Sequence, residues 1–317
     1  MLMSSKNHRK QVEYWRKRET EQRKKNIKNE AEYQKKIDEI YEYMLRNIQK
    51  EINSFYAKYA REEGISIADA KKKVSQLDIK AYERKAKKYV KSRDFSKEAN
   101  EEMKLYNLTM KINRLEMLKA NIGLELVDGF EDLQEYYETV LTDETLAEFE
   151  RQAGILGKTV QNNAERAKAI VNASFQNATY SDRIWMYQNA LKAELSKLLQ
   201  QGLIQGKGSR ELARLLRQKF DVSKRQAETL MTTELRRVQT AAAKDSYIKN
   251  GYEDYQFLTT NPKGPCDECK KLEGRHFKVK DMMVGENAPP MHPRCHCTTA
   301  PWQDEEAFYE WLASFDD

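Results

Sequence analysis

The residues best able to do chemistry crowd into one short stretch. All four cysteines lie between Cys266 and Cys297, and His276, His292 and His296 fall among them. The order is Cys266-Asp267-Glu268-Cys269, then 25 residues, then Cys295-His296-Cys297, with His292 three positions before Cys295. A Cys-x-x-Cys turn lets two thiolates converge on one ion. A Cys-x-Cys on a strand places both side chains on one face, by the two-residue alternation. Four thiolates at roughly 2.3 Å from one ion make a tetrahedral zinc site. The spacing therefore predicts a structural zinc held by Cys266, Cys269, Cys295 and Cys297, with His292 as the alternate ligand. A four-thiolate shell leaves no position for water, which argues against a catalytic zinc. Disulfides and free buried thiols compete with this reading, and synthesis in a reducing cytosol disfavours the disulfides. A cysteine nucleophile would have histidines near it in sequence, but nothing else suggests a triad.

Two further groups of residues carry charge in patterns that could matter. Glu234 and Arg237 stand three apart in Thr232-Thr233-Glu234-Leu235-Arg236-Arg237 and can pair on a helix surface. The pair reads as an ordinary surface contact or, more sharply, as a buried anchor tethering the cysteine module to its helix. An enzyme using Glu234 with a histidine is a third reading. Lys71, Lys72, Lys73, Arg84, Lys85, Lys87 and Lys88 could neutralise phosphates of double-stranded DNA without reading its sequence. Asp78 and Glu83 interleave with them, and no alternating aromatic platform for single strands is present.

The elements that position these residues follow from composition. The chain has 317 residues, 33% of them charged and 39% apolar, with a formal net charge of +6. One large spherical core is excluded by so little apolar material. All six prolines lie between Pro262 and Pro301, so nothing before them breaks a helix. Long exposed helices followed by a change to turns and short strands near Asn261 are expected. The stripe Tyr33, Ile37, Ile40, Met44, Ile48, Ile52, Phe55, Tyr59 is helical in period, and weakens upstream through Ile27, Trp15 and Val12. Gly64 should end this helix, and Ser66 with Asp69 should open another. A third helix is expected over 96–125 and an acidic one over 131–150, interrupted at Gly154 and Gly157. Ser181 reads as the N-cap of a helix that Gly202 stops. Ser209 opens a further helix, and Ser223 with Gln226 opens the next through a capping box. That last helix ends at Asn250-Gly251.

Beyond it, Tyr255, Phe257 and Thr259 alternate as in a half-buried strand, and His276–Val279 alternates likewise. The expected fold is mainly α with a small C-terminal α+β module, its short antiparallel sheet framing the cysteines. A metal would lend this apolar-poor module stability that its own core cannot. No run approaches the length of a membrane span. The N-terminal segment lacks the apolar core of a secretory signal. Basic residues dominate 1–100, and acidic ones dominate 121–150 and 301–317, which suggests several contact surfaces. In the tail, Phe308, Trp311, Leu312 and Phe315 share a helical face, suited to a partner groove or to covering the module itself.

The stretch Tyr180-Ser181-Asp182-Arg183-Ile184-Trp185, Gly206, Thr233-Glu234, Cys266-x-x-Cys269, Leu272-Glu273-Gly274, Pro290-Met291-His292-Pro293-x-Cys295-x-Cys297 and Pro301-Trp302 resembles the phage Mu protein F-like family. These are minor head, or head morphogenesis, proteins of tailed bacteriophages. The resemblance covers about residues 175–302, and departs where the family commonly has Arg and this chain has His296. It implies a non-enzymatic structural protein, incorporated in few copies. Synthesis would be in the host cytoplasm, with the mature protein inside the head of the virion. The partners it implies are the portal protein, the capsid or scaffold interior, and packaged DNA. On this reading the chain divides into a helical arm over 1–125, an acidic helix and linker over 126–175, the head morphogenesis domain over 176–302 and an amphipathic tail over 303–317. A zinc-ribbon nucleic-acid-binding protein is the alternative from the cysteine spacing.

Overall fold

A chain without proline before residue 262 is free to keep its helices unbroken, and it does so. The computed structural model describes residues 2–61, 114–204, 209–260 and 266–313. They form α1 (Leu2–Arg61), α2 (Arg114–Leu156), α3 (Asn163–Val171), α4 (Tyr180–Ile204) and α5 (Ser209–Lys249). Then come β1 (Asp254–Leu258), the single turn α6 (Asp267–Lys270), β2 (His276–Lys278), β3 (Thr298–Trp302) and α7 (Glu305–Ala313). A 3-10 turn, Val279–Asp281, follows β2. The protein is thus mainly helical, with a three-stranded antiparallel sheet in the order β2-β1-β3 beside a cysteine cluster. The expected helix start at Ser66 lies outside the described residues.

Several helices are longer than the local signals predict. The third and the acidic helix are one element from Arg114 onward, α2, which runs to Leu156 before Gly157 takes a left-handed φ of 92°. The capping box at Ser223 opens nothing. Ser223 is buried inside α5, with its hydroxyl 2.9 Å from that of Tyr41, so a tertiary partner replaces the local cap. Gly202 likewise does not stop α4. A Cβ there would lie 2.4 Å from Leu212 Cδ2, so the glycine serves close packing rather than termination. The end of α5 agrees with its sequence. Gly251 has a φ of 81°, and the Tyr252 amide donates to Tyr247 O at 3.0 Å, as in a Schellman ending.

The residues group into two compact units. One comprises Lys36–Glu135 and Ser181–Ala227. Among the described residues, its four helical segments bury Ile37, Met44, Ile48, Leu126, Phe130, Ile184, Leu195, Leu212 and Leu216. Tyr41 packs edge-on to Phe130 and Phe220, with centroids at 5.8 and 6.2 Å. Burying each such side chain contributes roughly 1.5–3 kcal/mol.

The other unit comprises Met1–Lys35, Tyr136–Tyr180 and Glu228–Asp317 and contains the sheet. Its apolar core gathers Trp15, Ile155, Tyr247, Tyr255, Leu258, Val279, Met282 and Ala300. Strand β1 was expected to be half-buried; instead Tyr255, Gln256, Phe257 and Leu258 are all buried, Tyr255 and Leu258 in the core shared with the helices and Phe257 among the cysteine loops. The tail helix α7 folds back on its own unit. Trp311 stacks on Trp15 at 5.4 Å, and Phe308 meets Tyr14 edge-on at 5.9 Å.

Within this unit the inner face of α1 changes character. The buried residues Trp15, Glu19, Arg23, Asn26 and Glu30 continue the apolar stripe in phase, but four of the five are polar. Their partners come from neighbouring elements. Glu19 accepts from Arg151 Nη1 at 2.8 Å and from Thr298 Oγ1 at 3.0 Å. Asn26 Nδ2 donates to Gln239 Oε1 at 3.2 Å, and Tyr33 OH to Glu144 Oε1 at 2.7 Å.

Candidate metal centre

Cys266 has extended backbone, φ −67° and ψ 163°, and stands as the N-cap of α6. Its sulfur accepts the Cys269 amide at 3.4 Å, while the Lys270 amide returns to Cys266 O at 2.9 Å. One helical turn therefore folds the Cys-x-x-Cys segment into a knuckle. The second pair arrives differently from the expectation. Cys295 and Cys297 lie in the loop just before β3 and not on a strand. The sharp turn in that loop is made by Arg294, at φ 58°, and by the Cys295 amide donating to His292 O at 3.1 Å. Pro290 and Pro293 flank His292 and stiffen the approach.

The two loops meet. Cys266, Cys269 and His292 offer ligand atoms within 4.8 Å of one another, and so do Cys269, Cys295 and Cys297, with Cys269 common to both groups. His292 Nε2 lies 3.2 Å from Cys266 Sγ and 3.5 Å from Cys269 Sγ, and Cys269 Sγ lies 3.9 Å from Cys295 Sγ. In a zinc tetrahedron, bond lengths near 2.3 Å to sulfur and 2.0–2.1 Å to nitrogen give edges of about 3.8 Å between sulfurs and about 3.6 Å between sulfur and nitrogen. The observed separations are of that size. His292 Nδ1 lies 2.9 Å from Pro293 O. A carbonyl can only accept, so the proton sits on Nδ1 and the Nε2 lone pair faces the sulfurs. A metal-bound histidine is normally fixed by such a bond. Phe257 and Met291 are buried against the sulfurs, and Leu272 and Phe277 pack partly over them. The cluster can hold a metal ion, and all four cysteines are free thiols.

The thiols are not equivalent. Hydrogen bonds from Cys269 and Cys297 pull the Cys295 thiol far below its ordinary value, and Cys269 is raised by its bonds to Cys295 and Cys297. For Cys297, the lowering pull of Cys269 is outweighed by the bond to Cys295 and by burial, which push it up to about 12. Burial raises Cys266, but the hydrogen bonds around it and the adjacent His292 hold it below its ordinary value. One sulfur is thus poised as a thiolate, with neighbours whose protons an ion would displace. His296 belongs to neither group of ligands. Burial, with Arg23 and Arg236 adding to it, lowers its pKa to about 4, and its Nδ1 lies 3.8 Å from Glu30 Oε1.

The loop is clamped from the helix side by Thr233, part of the Thr233-Glu234 element, and by Thr229, which the sequence did not single out. The Arg294 amide donates to Thr233 Oγ1 at 3.2 Å and its Nε to Thr229 Oγ1 at 2.9 Å. Glu234 and Arg237 do something else. They pair at 2.5 Å in a buried site, and Arg237 donates to Ile170 O at 2.7 Å and Val171 O at 2.9 Å. Arg237 thereby satisfies the last carbonyls of α3. Lys71, Lys72, Lys73, Arg84, Lys85, Lys87 and Lys88 lie outside the described residues. Missed altogether were Glu19, Arg23 and Glu30, whose one signal is that they keep the 3- and 4-residue steps of the stripe.

The fold and its site define a helical protein ending in a small sheet module built around four cysteines and a histidine. Residues 193–300 match the family model described as Phage Mu protein F like protein, which bears out the resemblance. That segment runs from within α4 into β3 and includes every candidate ligand. No curated protein and no solved structure matches the chain. Among the described residues, no helix is long and apolar enough to cross a membrane.

Proposed function

We propose that this chain is a phage minor head protein acting in head morphogenesis, a structural component of the procapsid and virion that associates with the portal and touches packaged DNA through sequence-independent contacts. The observation that carries the reading is the family match over residues 193–300, which takes in the whole cysteine-framed module. The geometry supports a structural role for that module. Cys269, Cys295 and Cys297 are buried in an apolar shell, with Cys266 and His292 at its more exposed edge, and four protein ligands around one ion would fill the shell of a structural zinc site. Within the cluster, Cys266, Cys269, Cys295 and Cys297 would hold the ion, with His292 able to take one of the four places. Zinc would supply a cross-link between the α6 knuckle and the loop before β3. No step of chemistry is assigned to it.

The test is assembly. Phage produced without this protein should yield heads that are defective in assembly, DNA retention or infectivity. The tagged protein should co-purify with portal from procapsids. Normal, infectious heads in its absence, together with no portal in the pull-down, would end the proposal.

A further inference from the structure

Two guanidinium groups are buried beside the cysteine loop with no carboxylate at ion-pair distance among the described residues. Arg23 on α1 and Arg236 on α5 are each 7% exposed, and the Nε of each has no hydrogen-bond partner. Arg23 Nη1 donates to Thr260 Oγ1 at 3.4 Å, and the Thr260 hydroxyl donates to His296 O at 2.5 Å. His296 is the residue between Cys295 and Cys297, so this chain of bonds ends one residue from both sulfurs. Arg236 Nη1 donates to Gln239 Oε1 at 3.0 Å, a neutral partner that Asn26 of α1 also reaches. Buried positive charges with neutral partners are costly unless something negative lies near.

Burial lowers the Arg23 guanidinium and Arg236 lowers it further, while Glu30, Cys297 and Cys295 act in the opposite direction. Glu30 lies near both guanidinium groups, and one carboxylate cannot balance two positive charges. Glu19 and Glu148, which line a cavity with Arg236, both pair with Arg151. The sulfur cluster is a further source of negative charge, and it acts on Arg23. A divalent ion with four thiolates carries two net negative charges, and with three thiolates and a histidine it carries one.

We infer that Arg23 and Arg236 are positioning residues for the metal centre, supplying from α1 and α5 the positive charge that balances the metal-bound thiolates, so that loading the ion fastens α1 to the sheet module. The inference rests on the zinc reading above and extends it to α1, which lies outside the family match.

The experiment uses the full chain and zinc alone as the probe. Zinc affinity is measured by competition with a chromophoric chelator for the wild type, Arg23→Met, Arg23→Lys and Arg236→Met, with circular dichroism confirming helix content. The two methionine variants should bind zinc about 10–100-fold more weakly, as outer-shell partners of metal sites do when removed. Arg23→Lys keeps the charge and should retain most of the affinity. Amide exchange in residues 19–30 of the wild type should slow when zinc is added to chelator-stripped protein. Folded Arg23→Met that binds zinc as tightly as the wild type overturns the inference while leaving the zinc reading intact. If Arg23→Met does not fold, unchanged exchange in α1 with and without zinc overturns it instead. A wild type that takes up no zinc defeats both.

Discussion

Replacing Arg237 by methionine keeps an unbranched apolar stem and removes three donated hydrogen bonds at once. Glu234, whose side chain is 1% exposed, loses the guanidinium that neutralises it, and the carbonyls of Ile170 and Val171 lose the donors that end α3. Breaking a buried pair from one side costs about 3–5 kcal/mol, since it strands the other charge. The two carbonyls add about 1 kcal/mol or more apiece, if water does not reach them. A loss of about 5–7 kcal/mol is expected, enough to lower the midpoint of thermal unfolding by roughly 10 °C or more. The double variant Glu234→Met, Arg237→Met removes both charges, and should recover a large part of that loss, because a buried pair replaced by apolar groups is often neutral. Denaturant unfolding of the 317-residue chain, followed by circular dichroism, measures both. A single variant that loses less than about 1 kcal/mol, or a double variant no better than the single, would refute the view that Arg237 is held by the buried charge it neutralises.

Gly129→Ala tests close packing within the first unit. The new Cβ would lie 2.1 Å from Met44 Cγ. Overpacking should cost about 1–3 kcal/mol, partly offset by about 1 kcal/mol of helix propensity, and Met44→Ala in the same chain should relieve the clash. A single variant as stable as the wild type by denaturant melts would count against the contact. Alkali tests the buried tyrosines. Burial raises Tyr247 and Tyr255, and pushes Tyr180 and Tyr252 up to about 12. The unfolded chain therefore ionises first, so the contribution is complete below about pH 10 and is lost as pH rises towards 12. Melts at pH 8, 10 and 11 should show this decline, and Tyr247→Phe should make it shallower. A flat profile would contradict it.

What the sequence made legible was whatever depends on neighbours in the chain. The Cys-x-x-Cys knuckle is a local turn, and its encounter with the loop before β3 needs only one closure. The end of α5 at Gly251 is likewise a local matter of handedness. What stayed hidden depends on partners from elsewhere. Ser223 carries a cap signal that Tyr41 overrides, and Gly202 carries a stop signal that is spent on Leu212. Glu234 and Arg237 read in sequence as a surface pair or as a buried anchor for the cysteine module, and neither reading points to the end of α3, where Arg237 donates to Ile170 O. The inner face of α1 was misread for a related reason. A search for apolar residues loses the stripe where Glu19, Arg23, Asn26 and Glu30 replace them, and it picks up Ile27, which is exposed.

That polar stretch gives α1 an index mark. A greasy helix can slide by a turn in its groove and find comparable contacts, since apolar burial has no direction. Glu19 against Arg151 and Thr298, Arg23 against Thr260 and Asn26 against Gln239 fit together at one axial setting. A slip of one turn, about 5.4 Å, would leave several buried polar groups without partners, each costing about 1–3 kcal/mol. A helix of 60 residues is thereby set to its correct notch by a few side chains near one end.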